Sequence, residues 1–92
     1  MIVSFRRKGL GTLYRTGSAR GVQAAHADKL RRVLSALDAA GSPAELNRPA
    51  YRLHPLKGEL KGHWSIWING NWRATFRFAG TDVELVDYTS YH

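Results

Sequence analysis

The stretch from Tyr51 to Phe78, YRLHPLKGELKGHWSIWINGNWRATFRF, decides the fold. From His63 to Ile68 and again from Trp72 to Phe78, apolar residues alternate with polar or large amphipathic ones. That is the period of a sheet with one buried face. Asn69-Gly70-Asn71 between the two runs marks a hairpin. A two-residue turn would set Ile66 opposite Arg73, an apolar and a charged side chain on one face. A three-residue loop, Asn69 to Asn71, pairs Ile68 with Trp72, Ile66 with Ala74 and Trp64 with Phe76. It leaves Trp67, Ser65 and His63 with Arg73, Thr75 and Arg77. This second register is expected, because a slip of one residue turns a whole apolar set outward. Upstream, Tyr51 to His54 reads as a short strand ended by Pro55, whose missing N–H confines it to an edge or an end. The same parity places Tyr51 and Leu53 inward, and Arg52 and His54 outward. One sheet face is therefore core, and the other carries Arg52, His54, His63, Arg73 and Arg77.

The rest of the chain supplies the cover for that core. Ile2 to Phe5 opens with two β-branched residues and reads as a strand. Arg7 to Thr16 sets Leu10, Leu13 and Tyr14 on one helical stripe, and Gly17 follows where a helix end favours a left-handed residue. The main helix is expected from about Val22 to Ala40, with Ala27, Leu30, Leu34 and Leu37 as its apolar stripe, beside Val33, and Gly41 as its stop. Ser42-Pro43-Ala44-Glu45 has the spacing of a capping box with proline at the first helical position. After Ala79-Gly80-Thr81-Asp82 a last strand runs from Val83 to Tyr88. Its inward parity is ambiguous, since Val83 and Leu85 compete with Val86 and Tyr88. The order β, α, α, β, β, β, β defines an α+β domain spanning 1–92, with two to three N-terminal helices on one face of a mainly antiparallel sheet.

The charge is 14 Lys and Arg against 7 Asp and Glu, a net +7, which favours a polyanionic partner: RNA, DNA or an acidic protein. Residues 1 to 41 hold 8 of those cations and 2 of the acids, so the helical half carries most of the field. A solvated helix face explains that charge about as well as binding does. No cysteine excludes a disulfide framework and a thiolate site. The basic N-terminus is followed by no apolar run of signal-peptide length, and nothing approaches the ~18 apolar residues of a membrane span. A soluble, cytoplasmic chain is expected.

LHPLKG, GHWSIWINGNWRATFRF and the terminal Tyr91-His92 give the chain a resemblance to the HigB host-inhibition toxins of the RelE/ParE superfamily, along its whole length from MIVSFRRKGL to YH. The resemblance implies the RelE/ParE-like fold and cleavage of mRNA on the ribosome. It also implies restraint by a HigA-like helix-turn-helix antitoxin. It associates the terminal tyrosine and histidine with cleavage, preceded by an aspartate. Here Ser90 stands in the aspartate's place, and Asp87 lies three residues earlier.

Cutting RNA without a metal or cofactor requires a base for the 2′-hydroxyl proton, an acid for the leaving 5′-oxygen, and cations for the phosphorane. Histidine, with an ordinary pKa of ~6.5, suits the first two roles. His54 is the first candidate, outward on a strand end and followed closely by Lys57. Its alternative is a strand-end histidine that satisfies a backbone group. Arg73, central on the outward face, is the expected phosphate clamp, because a guanidinium offers fixed paired donors. Its alternative is surface cover. Lys57, Arg77 and Arg52 are further phosphate contacts, and Tyr91 and His92 enter through the resemblance. His63 reads as a surface partner of Arg77, His26 as a helix-surface residue, Trp64 and Trp72 as core, and Trp67 as cover for the sheet. The histidines have no metal-ligand spacing. Two other readings remain open: a non-catalytic relative that inhibits DNA gyrase, and an RNA-binding module with a decayed site.

Overall fold

The structure, a computed structural model, describes residues 1–90. Its centre is a four-stranded antiparallel sheet: β1 (His54–Pro55), β2 (His63–Asn69), β3 (Trp72–Ala79) and β4 (Asp82–Ser90), side by side in that order. The expected register holds through the body of the hairpin, with Trp64 opposite Phe76 and Ile66 opposite Ala74. Near the turn it differs. Asn69, not Ile68, faces Trp72, because a bulge between Trp67 and Asn69 absorbs one residue. The turn itself is Gly70-Asn71, with Gly70 at φ 56°, and the Trp67 indole N–H donates to the Gly70 carbonyl at 2.9 Å. A bulge plus a two-residue turn thus yields the phase that a three-residue loop was expected to give. Ile68 remains buried.

The ambiguity of the last strand also resolves through a bulge. Between Thr75 and Arg77 the β3–β4 register shifts, and Leu85 adopts φ 55°. The inward set therefore changes phase, so that Val83, Val86 and Tyr88 are all buried. The Ser4 hydroxyl accepts the Leu85 N–H at 2.9 Å, satisfying the group that the bulge takes out of the ladder. Ile2 to Phe5 is not a continuous strand. It makes two isolated parallel bridges, Ile2 to Val83 and Phe5 to Val86, along the free edge of β4.

Two α-helices are present among the described residues: α1 (Lys8–Thr16) and α2 (Ala27–Ala39). Leu10 and Leu13 of α1 and Leu30, Val33, Leu34 and Leu37 of α2 share one buried cluster with Ile66, Phe76, Val83 and Val86. Gly17 caps α1 at φ 77° and donates to the Leu13 carbonyl at 2.9 Å. Gly9 is in α1 for a steric reason: a Cβ there would lie 2.6 Å from the Gly21 carbonyl oxygen. The main helix begins later than expected, since Ala24–His26 forms a 3-10 turn first. At Pro43–Leu46 the capping box is half realised. Glu45 accepts the Gly41 N–H at 2.8 Å, while Ser42 makes no cap bond and the segment is 3-10.

The strand expected over Tyr51 to His54 is displaced. Pro49–Tyr51 is a 3-10 turn, Arg52 reverses the chain at φ 46°, and only His54–Pro55 pairs with β2. Tyr51 is nevertheless buried, while Arg52 and His54 are exposed. Pro55 occupies the edge strand, where its missing N–H costs nothing. No helix among the described residues is long and apolar enough to cross a membrane.

Candidate active site

The face of the sheet turned away from the core carries three cross-strand rows. His54, Ser65, Thr75 and Asp87 form one, each opposite the next on adjacent strands. Trp67, Arg73 and Thr89 form the row toward the end of β4, and His63, Arg77 and Glu84 the row on the other side. Strands lie ~4.8 Å apart and residues ~3.4 Å apart along a strand, so the His54 and Arg73 backbones are separated by roughly 12 Å across the face.

His54 has a defined hydrogen-bonding arrangement. Its Nδ1 lies 3.0 Å from the Arg52 carbonyl oxygen. A carbonyl oxygen only accepts, so Nδ1 carries the proton and the neutral ring keeps its lone pair on Nε2. The reversal at Arg52 is what brings that carbonyl under the ring. The same bond is the backbone-satisfying role named as His54's alternative. Bonding through Nδ1 and chemistry at Nε2 are compatible.

The cations differ in their surroundings. Arg73 is half-buried on the central strand β3, between Trp67 and Thr89. Arg77 hydrogen-bonds Glu84 through Nε at 2.8 Å and through a second, shorter contact from its terminal nitrogen, which commits its donors at the far row. Arg52 lies over the Trp67 ring, 4.3 Å from its centroid, and Lys29 Nζ sits at the same distance. Trp67 is therefore a platform for two cations. Lys57 is exposed on the loop after β1 and makes no ion pair among the described residues.

Two histidines are not where expected. His26 is buried, hydrogen-bonded through Nδ1 to the Tyr88 hydroxyl, and in edge contact with that ring. Burial raises the pKa of the Tyr88 hydroxyl. Trp72, half-buried like Trp64, stacks on Tyr88 at 4.5 Å. His63 is also buried, and both of its ring nitrogens lack a hydrogen-bond partner.

Near the end of β4, Asp87 shares the row of His54 by register, but its carboxylate accepts the Tyr88 N–H at 2.8 Å and lies 3.6 Å from Arg7 Nε. It is held at the edge of the sheet. Ser90 pairs with Trp72, and so falls on the opposite face from Arg73 and Thr89. Tyr91 and His92 lie outside the described residues. Sequence reasoning passed over Ser65 and Thr75, whose only signal was outward parity at the middle of the face. No group of three or more His, Asp or Glu among the described residues is arranged to hold a metal ion.

Two helices backing an antiparallel sheet, whose other face presents a histidine and an arginine, form the architecture expected of the RelE/ParE superfamily. A family model described as the RelE-like toxin of type II toxin-antitoxin system HigB matches residues 3–92. The Endoribonuclease HigB of Proteus vulgaris is 46% identical over 92 residues, covering 100% of both chains. The chain belongs to the HigB family of RelE-like toxins.

Proposed function

We propose that this chain, a type II toxin and endoribonuclease of the HigB family, cuts mRNA on the ribosome by acid/base catalysis through the 2′-hydroxyl, with no metal. His54 Nε2 takes the 2′-hydroxyl proton, and the 2′-oxygen attacks the adjacent phosphorus. Arg73 holds the non-bridging oxygens as negative charge builds, and Lys57 adds a second cation. As the bond from phosphorus to the 5′-oxygen breaks, His92, aided by Tyr91, delivers the proton to that oxygen. The products are a 2′,3′-cyclic phosphate and a 5′-hydroxyl. Arg52 and Arg77 play smaller parts, one set against Trp67 and the other against Glu84.

The observation that carries this reading is the His54 bond to the Arg52 carbonyl, which leaves Nε2 available as base. A type II toxin implies an antitoxin, and we assign it to the HigA-like helix-turn-helix class, with the cytoplasm as the place of action. Primer extension on mRNA from cells expressing the chain tests the proposal. Discrete breaks within translated codons support it. Growth arrest with intact mRNA would favour gyrase inhibition, and neither effect would favour an RNA-binding module with a decayed site.

A further inference from the structure

Four polar residues of the described chain are buried: His26, His63, Ser65 and Thr75. His26 is bonded to Tyr88. The other three share the outward face, and Ser65 and Thr75 are direct cross-strand partners in the row of His54. Ser65 is 1% exposed and Thr75 3%. Neither hydroxyl has a hydrogen-bond partner among the described residues, yet neither oxygen is among the fully enclosed unbonded atoms. The sliver of each residue left at the surface therefore includes its hydroxyl. Two nearly buried hydroxyls at the middle of a sheet face, unpaired among the described residues, call for a partner.

We propose that Ser65 and Thr75 form the floor of the RNA site and divide the scissile nucleotide between them. Ser65, beside His54, hydrogen-bonds the ribose 2′-hydroxyl and holds its oxygen toward the base. Thr75, two residues from Arg73 on β3, donates to a non-bridging phosphate oxygen. Both hydroxyls can adopt these roles because their protons rotate freely and no described residue engages them. A hydroxyl that reads the 2′-group is also what separates RNA from DNA at a cleavage point. The inference rests on the catalytic reading of His54 and Arg73 given above.

The test uses the full-length chain, ribosomes programmed with an mRNA whose break has been mapped, and a second mRNA with a single 2′-deoxy substitution at that nucleotide. Ser65→Ala is expected to slow single-turnover cleavage about tenfold, and Thr75→Val about ten- to a hundredfold, since its bond is to a charged group. Thr75→Ser, which keeps the hydroxyl, recovers most of the rate. Thermal midpoints should stay level or rise, because neither hydroxyl bonds a described residue; a purely structural role would lower the midpoint instead. In binding to programmed ribosomes, the loss caused by Ser65→Ala should vanish on the 2′-deoxy mRNA, while the loss caused by Thr75→Val persists. Wild-type cleavage and binding in both variants would overturn the inference and leave the catalytic reading intact. Wild-type cleavage in His54→Ala and Arg73→Ala as well would overturn that reading too.

Discussion

His54 Nδ1 lies 3.0 Å from the Arg52 carbonyl oxygen, and that bond fixes which ring nitrogen is free for chemistry. His54→Gln keeps an amide donor for the carbonyl but supplies no base. It should lower the rate by about 10²- to 10⁴-fold. Single-turnover rates of the two proteins check this. An unchanged rate in the variant would assign the base to another group.

Arg73 is on the central strand of the outward face, half-buried between Trp67 and Thr89. Arg73→Lys retains the charge but not the paired donors of a guanidinium. Cleavage should fall by about tenfold or more with the thermal midpoint little changed. Unaltered kinetics would make Arg73 surface cover.

A pH effect on stability is expected far from the site. Asp38 accepts the Ile2 N–H at 3.0 Å and the Tyr14 hydroxyl at 2.8 Å, and these bonds hold its carboxyl below the ordinary range. The same bond raises the pKa of Tyr14. A carboxylate whose pKa is depressed by folding stabilises the native state above its unfolded pKa. That contribution is lost as pH falls through the folded value. Asp38→Asn retains an oxygen for both donors but cannot titrate, so its thermal midpoint should fall less steeply below about pH 4. Parallel acid limbs for the two proteins would show that Asp38 contributes nothing to the pH dependence.

The hairpin register was legible because the two-residue turn would have set Arg73 against Ile66. The bulge that delivers the register was not, since a bulge at Ile68 and a longer turn predict the same pairs from Trp67 and Arg73 onward. Leu85 defeats period reading for a related reason. It takes φ 55°, a conformation usually marked by glycine or asparagine, and the alternation on either side of it belongs to two phases. His26 follows the 3-10 turn's own contacts less than those of Tyr88, 62 residues away, and no local pattern reports such a partner. At the candidate site, parity placed Arg52, His54, His63, Arg73 and Arg77 on one face, and side-chain chemistry singled out His54 and Arg73. The ring nitrogen of His54 that stays free, the capture of Arg77 by Glu84, and the burial of Ser65 and Thr75 depend on tertiary geometry.

Two arginines of the basic helical half meet a third from beyond it. Arg31, Arg32 and Arg48 line a groove beside Ala50 and Tyr51, and Arg31 is already bonded to Asp28. Burial, followed by the charges of Arg32 and Arg52, lowers the pKa of the Lys29 ammonium. Crowded cations of this kind gain from a phosphate backbone. Ribosome binding should weaken steeply with salt, each neutralised phosphate contributing a log–log slope of about 0.7 to 0.9. Arg32→Glu with Arg48→Glu should flatten that slope by about one to two units. An identical slope would place the RNA-facing charge elsewhere.

Cleavage of ribosome-bound mRNA through the 2′-hydroxyl leaves its signature in the chemistry of the new ends. The purified chain, mRNA and ribosomes are incubated with no divalent ion beyond that needed to keep the ribosome assembled, and the fragments are mapped. Breaks are expected only when ribosomes are present, each with a 2′,3′-cyclic phosphate upstream and a 5′-hydroxyl downstream. Fragments bearing 5′-phosphates, or equal cleavage of naked RNA, would contradict it.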